Sequence, residues 1–222
     1  MKPLLPAAAA AGLLLWAGAG WITSRADAQN IGAPDARFAG LQWTFARIRY
    51  TAWTVPRGGY LNPEDEPWFI DAPAAEQNLS RRVGTATAIH VNEPVVLTLE
   101  DPTLWAYPWI YIVEPGNLRL KDAEVPILRE FLLRGGTLTF DDFHGPIEWA
   151  NLESELRRVF PDRKIIDLPP EHPIFHCFYQ FDSFPQTPGL GSFLQGRMWE
   201  KGGYTAQAYR MQINEIIYSL TH

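Results

Sequence analysis

The sequence contains a single cysteine among its 222 residues, and this scarcity excludes several kinds of chemistry. One cysteine cannot form a disulfide within its own chain and cannot provide a Cys-x-x-Cys redox or zinc motif. The chain also lacks a Gly-Lys-Ser/Thr phosphate-binding loop and a Gly-x-Ser-x-Gly nucleophile elbow. The sequence therefore predicts no disulfide framework, no nucleotide-binding loop of that type and no serine nucleophile of that type.

Positive charge is also in short supply. The chain has 19 Lys and Arg against 25 Asp and Glu, which gives a formal net charge of -6. Nucleic-acid binding depends on a basic surplus, so we expect no nucleic-acid partner. Hydrophobic residues, in contrast, make up 46% of the chain, which is enough to build the core of a globular domain.

The N-terminal segment predicts export. Residues 3–22 carry no charge and lead into Ala26-Asp27-Ala28, which has small residues at the two positions that a signal peptidase recognises. We therefore expect a signal peptide over residues 1–28, a linker over 29–40, a single domain over 41–222 and a periplasmic location. The alternative is an uncleaved segment that anchors the protein to the inner membrane, because about 20 apolar residues can span a bilayer.

A strand–helix–strand pattern occupies the middle of the chain. The continuous apolar run Trp109–Val113 is typical of a strand that is covered on both faces. A helical pattern follows over 122–134, and Gly135-Gly136 is predicted to end that helix with a left-handed cap. The next strand is predicted at 137–140. This order predicts a βαβ unit, whose crossover makes the two strands parallel.

The remaining pattern extends the same architecture. We expect Arg47 and Arg49 to lie on the solvent face of a strand over 46–50, and Asp71 to cap a helix that ends at Gly84. Further strands are predicted over 88–91, 95–99 and 164–168, further helices over 149–160 and 205–220, and a surface loop over 56–67. The fold class expected is α/β, a three-layer sandwich with a mainly parallel sheet.

Acidic side chains follow both strands of the βαβ unit, where ligands bind in open parallel sheets. Glu114 follows the first strand, and Asp141, Asp142 and His144 follow the second. Carboxylates and imidazoles bind divalent metals or perform acid–base chemistry, so these residues are ligand-binding candidates, and the last three are metal candidates. The alternative is that one Asp caps the next turn while the other pairs with an Arg. No cofactor is predicted.

A second group of candidates lies in Glu171-His172-Pro173-Ile174-Phe175-His176-Cys177. His172 joins the ligand-binding candidates. His172 and His176 are four residues apart, but Pro173 favours a turn rather than a helix that would let them share a metal. Cys177 lies in an aromatic run, where a buried and unreactive thiol is expected rather than a nucleophile.

Aromatic residues near the predicted loop have two interpretations. Tyr60, Trp68 and Phe69 could form a stacking surface for a sugar or a peptide. Alternatively, they fill the core and pin the loop, as aromatic side chains commonly do.

A series of short motifs, in order along the chain, resembles the bacterial domain of unknown function family 4159. The motifs are Phe45-x-Arg47-x-Arg49-Tyr50, Asn78-Leu79, Tyr107-Pro108-x-x-Tyr111, Leu128-Arg129-x-Phe131-Leu132-x-x-Gly135-Gly136, Asp141-Asp142, Phe160-Pro161, His172-Pro173-Ile174-Phe175 and Asn214-x-x-x-Tyr218-x-x-Thr221-His222. The resemblance implies a flavodoxin-like fold similar to class I glutamine amidotransferases. It does not imply their activity, because their cysteine elbow has no counterpart here. Family members usually have a strand and an Asp-rich loop between a Gly-Arg pair and a later Trp-Glu, and the run Gly196-Arg197-Met198-Trp199-Glu200 leaves no room for them.

Three functional hypotheses follow from the sequence. The leading hypothesis is an exported, non-catalytic module that binds a small molecule or an envelope protein through the strand-end residues. The second is a metal-assisted hydrolase that uses Asp141, Asp142 and His144, with His172 as a further candidate. The third is a carbohydrate- or cell-wall-binding protein that uses the aromatic loop. The membrane would take part only through an uncleaved N-terminal segment.

Overall fold

The computed structural model describes residues 34–53, 55–184 and 204–222. Its helices are α1 (Ala74–Ala86), α2 (Glu124–Leu133), α3 (Gly145–Val159) and α4 (Tyr204–Thr221). Its strands are β1 (Gln42–Trp43), β2 (Ala46–Ile48), β3 (Thr51–Ala52), β4 (His90–Val91), β5 (Val95–Leu97), β6 (Trp109–Val113), β7 (Leu118–Arg119) and β8 (Thr137–Asp141). The predicted signal segment and the Gly196–Glu200 stretch lie outside these residues.

The central sheet has four strands in the order β5-β2-β6-β8, and every pairing within it is parallel. Strands β6 and β8 pair along their full length, from Trp109 opposite Thr137 to Val113 opposite Asp141. Two smaller pairs accompany the sheet, a parallel one between β1 and β4 and an antiparallel one between β3 and β7. Because β6 and β8 are parallel and in register, the residues that follow them emerge at the same edge.

Alternate side chains of β6 belong to two separate hydrophobic clusters. Ile110 and Ile112 pack in one cluster with residues of α2 and α3, including Leu128 and Leu152. The other residues of β6, Trp109, Tyr111 and Val113, pack in the second cluster with residues of α1 and α4. These helix residues include Leu79, Val83, Ile213 and Ile216. Burial on both faces explains why the run is apolar throughout. The α/β class is thereby confirmed.

The predicted βαβ unit is also confirmed. Both strands form at the predicted places, and α2 ends where the two glycines begin. Gly135 has φ of +92°, and its N–H donates to the Leu132 carbonyl at 3.2 Å. The N–H of Gly136 donates to the Phe131 carbonyl at 3.0 Å. Glycine at this left-handed position avoids the steric cost of a side chain and closes the helix.

Three local predictions are wrong. Residues 164–168 form no strand and are all exposed. Ile165 and Ile166 favour β structure, but no neighbouring strand pairs with them there, and Pro169-Pro170 follow without N–H donors. The second error concerns α1, which begins after Pro73 and continues past Gly84 to Ala86, with no side-chain cap from Asp71. Third, Arg47 is fully buried instead of lying on a solvent face.

None of the described helices combines the length and the apolar character needed to cross a membrane.

Candidate functional site

The candidate site lies where β6 and β8 end, and we call it the strand-end site: Asp71, Glu114, Asp141, Asp142, His144 and Glu148. The pairing of the two strands continues one step beyond β6, because the N–H of Glu114 donates to the Asp141 carbonyl at 2.9 Å. The chain register that builds the sheet therefore also brings the first two predicted site residues together.

Three acidic residues of this site have left-handed backbone conformations. The values of φ are +61° at Asp71, +51° at Glu114 and +58° at Asp142, and no other non-glycine residue in the described part of the chain has positive φ. Such conformations are unfavourable for residues with a side chain and cluster at functional sites. The strain thus coincides with the acidic edge of the sheet.

Tyr50 supports the left-handed turn at Glu114. Its buried hydroxyl lies 3.0 Å from the Val113 carbonyl and 2.8 Å from the Glu114 carbonyl, so it can donate its proton to either oxygen. Burial, together with the negative charge of Glu114, raises the pKa of Tyr50 and keeps it a neutral donor. A side chain from the end of the neighbouring strand therefore fixes the backbone of a candidate ligand-binding residue.

Asp142, His144 and Glu148 interact at the start of α3. A ring nitrogen of His144, Nε2, lies 2.8 Å from Asp142 Oδ1. The backbone N–H of His144, the residue before α3, donates to Glu148 Oε2 at 2.5 Å. Glu148 therefore provides the acceptor for this N–H at the start of the helix. The alternative interpretation of the Asp pair, one capping the turn and one paired with an Arg, does not describe these contacts.

Asp141 faces a partly buried polar layer between the sheet and α4. The Tyr111 hydroxyl donates to Asp141 Oδ2 at 2.9 Å, and Gln212 Nε2 donates to the same oxygen at 3.3 Å. Next to it, the Thr139 hydroxyl donates to Glu215 Oε2 at 2.8 Å. Burial raises the pKa of Asp141 and raises the pKa of Glu215 to about 7.

The exposed side of the site has an excess of negative charge. Burial raises the pKa of Glu114 to about 7, and repulsion from Asp142 and Glu148 adds to the effect. Asp71 acts on Glu114 in the same direction, while His144 opposes it. Glu114 therefore changes its charge near neutral pH.

Arg47 is a buried residue that the sequence analysis placed in solvent. Its guanidinium pairs with Glu76 of α1 and donates to the carbonyls of Trp68 at 2.9 Å and Ile70 at 3.1 Å. The second of these carbonyls belongs to the residue immediately before Asp71. Arg47 thus fixes the segment that carries Asp71, from the far side of the strand-end site.

The structure does not bring His172 to the strand-end carboxylates. Its Nδ1 accepts from the N–H of Ile174 at 3.3 Å, and its ring lies 5.3 Å from that of Tyr218 on α4. Cys177 is half-buried, its thiol donates to the Asn214 carbonyl at 3.3 Å, and burial raises its pKa. It lines a cavity of about 390 Å³ that shares no lining residue with the strand-end site.

The metal-binding hypothesis gains no geometric support. Within the described ranges, no group of three His, Cys, Asp or Glu side chains is placed to hold a metal ion. Asp142 and His144 approach each other, but the Asp141 carboxylate faces Tyr111 and Gln212 instead. The site offers hydrogen-bond acceptors and negative charge to a ligand.

The aromatic loop does not present Trp68 to solvent. Two short 3-10 turns, Pro63–Asp65 and Pro67–Phe69, interrupt this irregular segment. Trp68 is buried, and its indole N–H donates to Glu66 Oε2 at 3.0 Å. Tyr60 and Phe69 are half-buried against the same core cluster. The core interpretation of these aromatics therefore describes Trp68 better than the stacking interpretation.

The comparison with known families agrees with the resemblance of the motifs. The family model described as Domain of unknown function (DUF4159) matches residues 44–215. The chain belongs to this family. No curated protein matches the chain. The span matched by DUF4159 contains all six residues of the strand-end site, together with Arg47 and Tyr50.

The family motifs also contain three residues around the site whose roles hydrophobic periodicity does not predict. Arg47 and Tyr50 belong to the first motif that resembles DUF4159, and Tyr111 belongs to the third. Arg47 and Tyr111 lie in the middle of buried strands, and Tyr50 lies two residues after β2. Such residues are unusual choices for a core, since their polar atoms need partners. Gln212, Glu215 and Glu148 carry no comparable local signal.

Proposed function

We propose that this protein is an exported binding module that recognises a positively charged group at the strand-end site and catalyses no reaction. The observation that supports this proposal is the convergence of three left-handed acidic residues, Asp71, Glu114 and Asp142, at one edge of a parallel sheet. Residues held in such conformations cost about 1–3 kcal/mol each and persist where the surroundings enforce them. A cationic ligand would relieve the repulsion among their carboxylates.

The hydrogen bonds divide the site into two parts. Asp141 is engaged by Tyr111 and Gln212 beneath the surface. Glu114, Asp142 and Glu148 form the part that is open to a ligand, and their oxygens accept hydrogen bonds from ammonium or guanidinium groups. Export, directed by residues 1–28, is part of the same proposal. So is the flavodoxin-like arrangement of the α/β fold.

A titration with L-argininamide, which is cationic and has no carboxylate, tests the proposal. We expect backbone amide shifts in NMR spectra of the full chain at Glu114, Gly116 and Asn117 and at residues 141–145. Binding should weaken as the pH falls from 8 to 6, because Glu114, with a pKa of about 7, becomes neutral. The variant Glu114→Gln/Asp142→Asn should lose the shifts. Glu153→Gln is a matched control, because Glu153 lies on α3 away from the site's contacts, and its side chain is 43% exposed and paired with Arg157.

Two results would contradict the proposal. One is a set of shifts spread over the whole surface of the protein. The other is a set of localised shifts that persists unchanged in the Glu114→Gln/Asp142→Asn variant, because the cation would then be bound by other groups.

A further inference from the structure

The chain that follows α3 exposes aliphatic side chains and has no strand to pair with. We call residues 163–168 the exposed segment. Every residue from 161 to 170 is exposed, and the exposed fractions are 49% for Ile165, 74% for Ile166 and 36% for Leu168. Isoleucine is a strong β-former, and neighbouring exposed aliphatic residues are typical of interaction surfaces.

The backbone of the exposed segment is unpaired between two fixed ends. The N–H of Arg163 donates to the Phe160 carbonyl at 3.2 Å, and the Pro169 carbonyl accepts from the N–H of His172 at 2.9 Å. Between these ends, the N–H and C=O groups of residues 164–168 form no hydrogen bond with any residue that the structure describes. Such a row of free backbone groups is a template on which another strand can pair.

The charges of the segment are arranged symmetrically about Ile165. Arg163 lies two residues before it and Asp167 two residues after it, so the three side chains share one face when the segment is extended. In an antiparallel pair of two copies with a two-fold axis at Ile165, Arg163 of each copy lies opposite Asp167 of the other. The two Ile165 side chains then face each other between two ion pairs.

Both charged side chains are free for these contacts. The guanidinium of Arg163 lies 4.9 Å from the ring centroid of Phe160, and the adjacent carboxylate, Asp162, pairs with Arg129 instead. Asp167 has no ion-pair partner in the ranges that the structure describes. A second copy would therefore supply a partner that the single chain lacks.

We propose that residues 163–167 pair with the same segment of a second copy of this chain, as an antiparallel two-stranded ribbon centred on Ile165. Charge complementarity selects this occupant and this register. A two-fold axis at Ile166 would place Ile165 opposite Asp167 and leave no Arg–Asp pair.

The dimer should be weak and should form as the protein concentration rises. Five residues from each copy fall well short of the about 20–30 residues that a stable interface uses on each side. Each copy also carries a net charge of -6, but salt at about 0.15 M screens repulsion between charges more than about 8 Å apart. The ion pairs within the ribbon are closer than that.

Disulfide trapping tests the register. In a Cys177→Ser background, Ile165→Cys places two thiols across the two-fold axis, with Cβ atoms about 4.5–5.5 Å apart. Ile166→Cys is the matched control, because Ile166 is the more exposed residue but would lie diagonally across from its counterpart, at about 7–8 Å. We expect the disulfide-linked dimer to form several times faster in Ile165→Cys than in Ile166→Cys.

Sedimentation velocity over a range of concentrations tests the ion pairs. Asp167→Lys places two positive charges opposite each other twice in the ribbon, and we expect it to weaken dimerisation by about tenfold or more. The exchange Arg163→Asp/Asp167→Arg should restore the dimer. Glu64→Lys is the matched control, because it changes the net charge equally at an exposed residue of the Pro63–Asp65 turn. Circular dichroism melting curves check that each variant is folded.

Several results would overturn the inference. One is a monomer at every concentration, and another is a dimer that Asp167→Lys leaves unchanged or that the charge exchange fails to restore. Crosslinking of Ile166→Cys as fast as Ile165→Cys also overturns it, because chance collision favours the more exposed thiol. A monomer that binds anionic lipid vesicles through Arg163 and Lys164 would assign the segment to a membrane surface instead. None of these residues belongs to the strand-end site, so the argininamide shifts decide the proposed function separately.

Discussion

Two groups of charged side chains near the central sheet differ in how their charge is compensated. Arg47 and Glu76 have opposite charges and are both buried, and Arg47 also donates to the carbonyls of Trp68 and Ile70. The open part of the strand-end site, Glu114, Asp142 and Glu148, carries charges of one sign at the surface. A ring nitrogen of His144 lies 2.8 Å from Asp142 Oδ1.

The difference indicates different roles. A buried charge is tolerated when a partner and hydrogen bonds replace the water it has lost, and such a pair serves the specificity of the fold. The strained backbone at Glu114 and Asp142 and the repulsion between their carboxylates do not stabilise the free protein, which is why we assign these two residues to binding. Tyr111 lies between Arg47 and Asp141: its ring centroid is 5.2 Å from the Arg47 guanidinium, and its hydroxyl donates to Asp141.

The largest effect should come from breaking the compensated pair. Arg47→Met leaves the Glu76 carboxylate and two carbonyls buried without their donor, and we expect it to lower the free energy of unfolding by about 3–5 kcal/mol. Urea denaturation measures this loss. Arg49→Met is the matched control, because Arg49 is exposed two residues further along. The double variant Arg47→Met/Glu76→Leu should recover part of the stability, since no buried charge remains.

A loss below about 1 kcal/mol in Arg47→Met would contradict this interpretation, because it would mean that water reaches Glu76. The distinction between a structural pair and a functional cluster would then no longer hold.

A smaller effect is expected at Glu215, whose buried carboxyl has a pKa of about 7 in the folded protein, against 4.5 as its ordinary value. The folded state therefore binds more protons than the unfolded state between these values. The stability contributed by this group is present below about pH 4.5 and is lost as the pH rises to about 7. Glu215→Gln keeps an acceptor for Thr139 and removes the ionisation. We expect it to raise the free energy of unfolding by about 1–3 kcal/mol at pH 8 and by little at pH 4.

Unfolding curves at a series of pH values measure this prediction, and Glu153→Gln should give a curve parallel to that of the original protein. A residual slope should remain in Glu215→Gln, because the raised pKa values of Asp141 and Glu114 act with the same sign. A destabilisation by Glu215→Gln at pH 8 would show that the charged carboxylate, instead of the neutral acid, is the form that suits the site.

The sequence predicted the parts of the fold that depend on local pattern. The apolar run of β6 and the Gly135-Gly136 stop identified the βαβ unit, and with it the edge where Glu114 and Asp141 meet. Residues 164–168 show the limit of this approach, because a strand needs a partner, and partners are set by the tertiary fold. Ile165 and Ile166 have the propensity but no neighbouring strand in the part of the chain that the structure describes.

The site was predictable only where its residues follow the strands directly. Arg47 alternates with apolar neighbours as a solvent-facing residue would. Its burial is possible because its partners come from more than 20 positions later: Glu76 and the carbonyls of Trp68 and Ile70. Gln212 reaches Asp141 from 71 positions away. His172 is a candidate only by its chemical type, and chemical type does not determine position. Contacts at such separations leave no trace in local periodicity.

The smallest effect should come from relieving backbone strain within the uncompensated cluster. Glu114 has φ of +51°, where a residue with a side chain costs roughly 1–2 kcal/mol, while glycine loses about 0.5–1 kcal/mol through its greater freedom when unfolded. Glu114→Gly should therefore raise the free energy of unfolding by about 0.5–1 kcal/mol relative to Glu114→Gln, which removes the same charge and keeps the strained backbone. Both variants should bind argininamide more weakly. If Glu114→Gly were instead less stable than Glu114→Gln, Tyr50 and the two carbonyls it contacts would account for the turn without strain, and the left-handed backbone would cease to be an argument for binding.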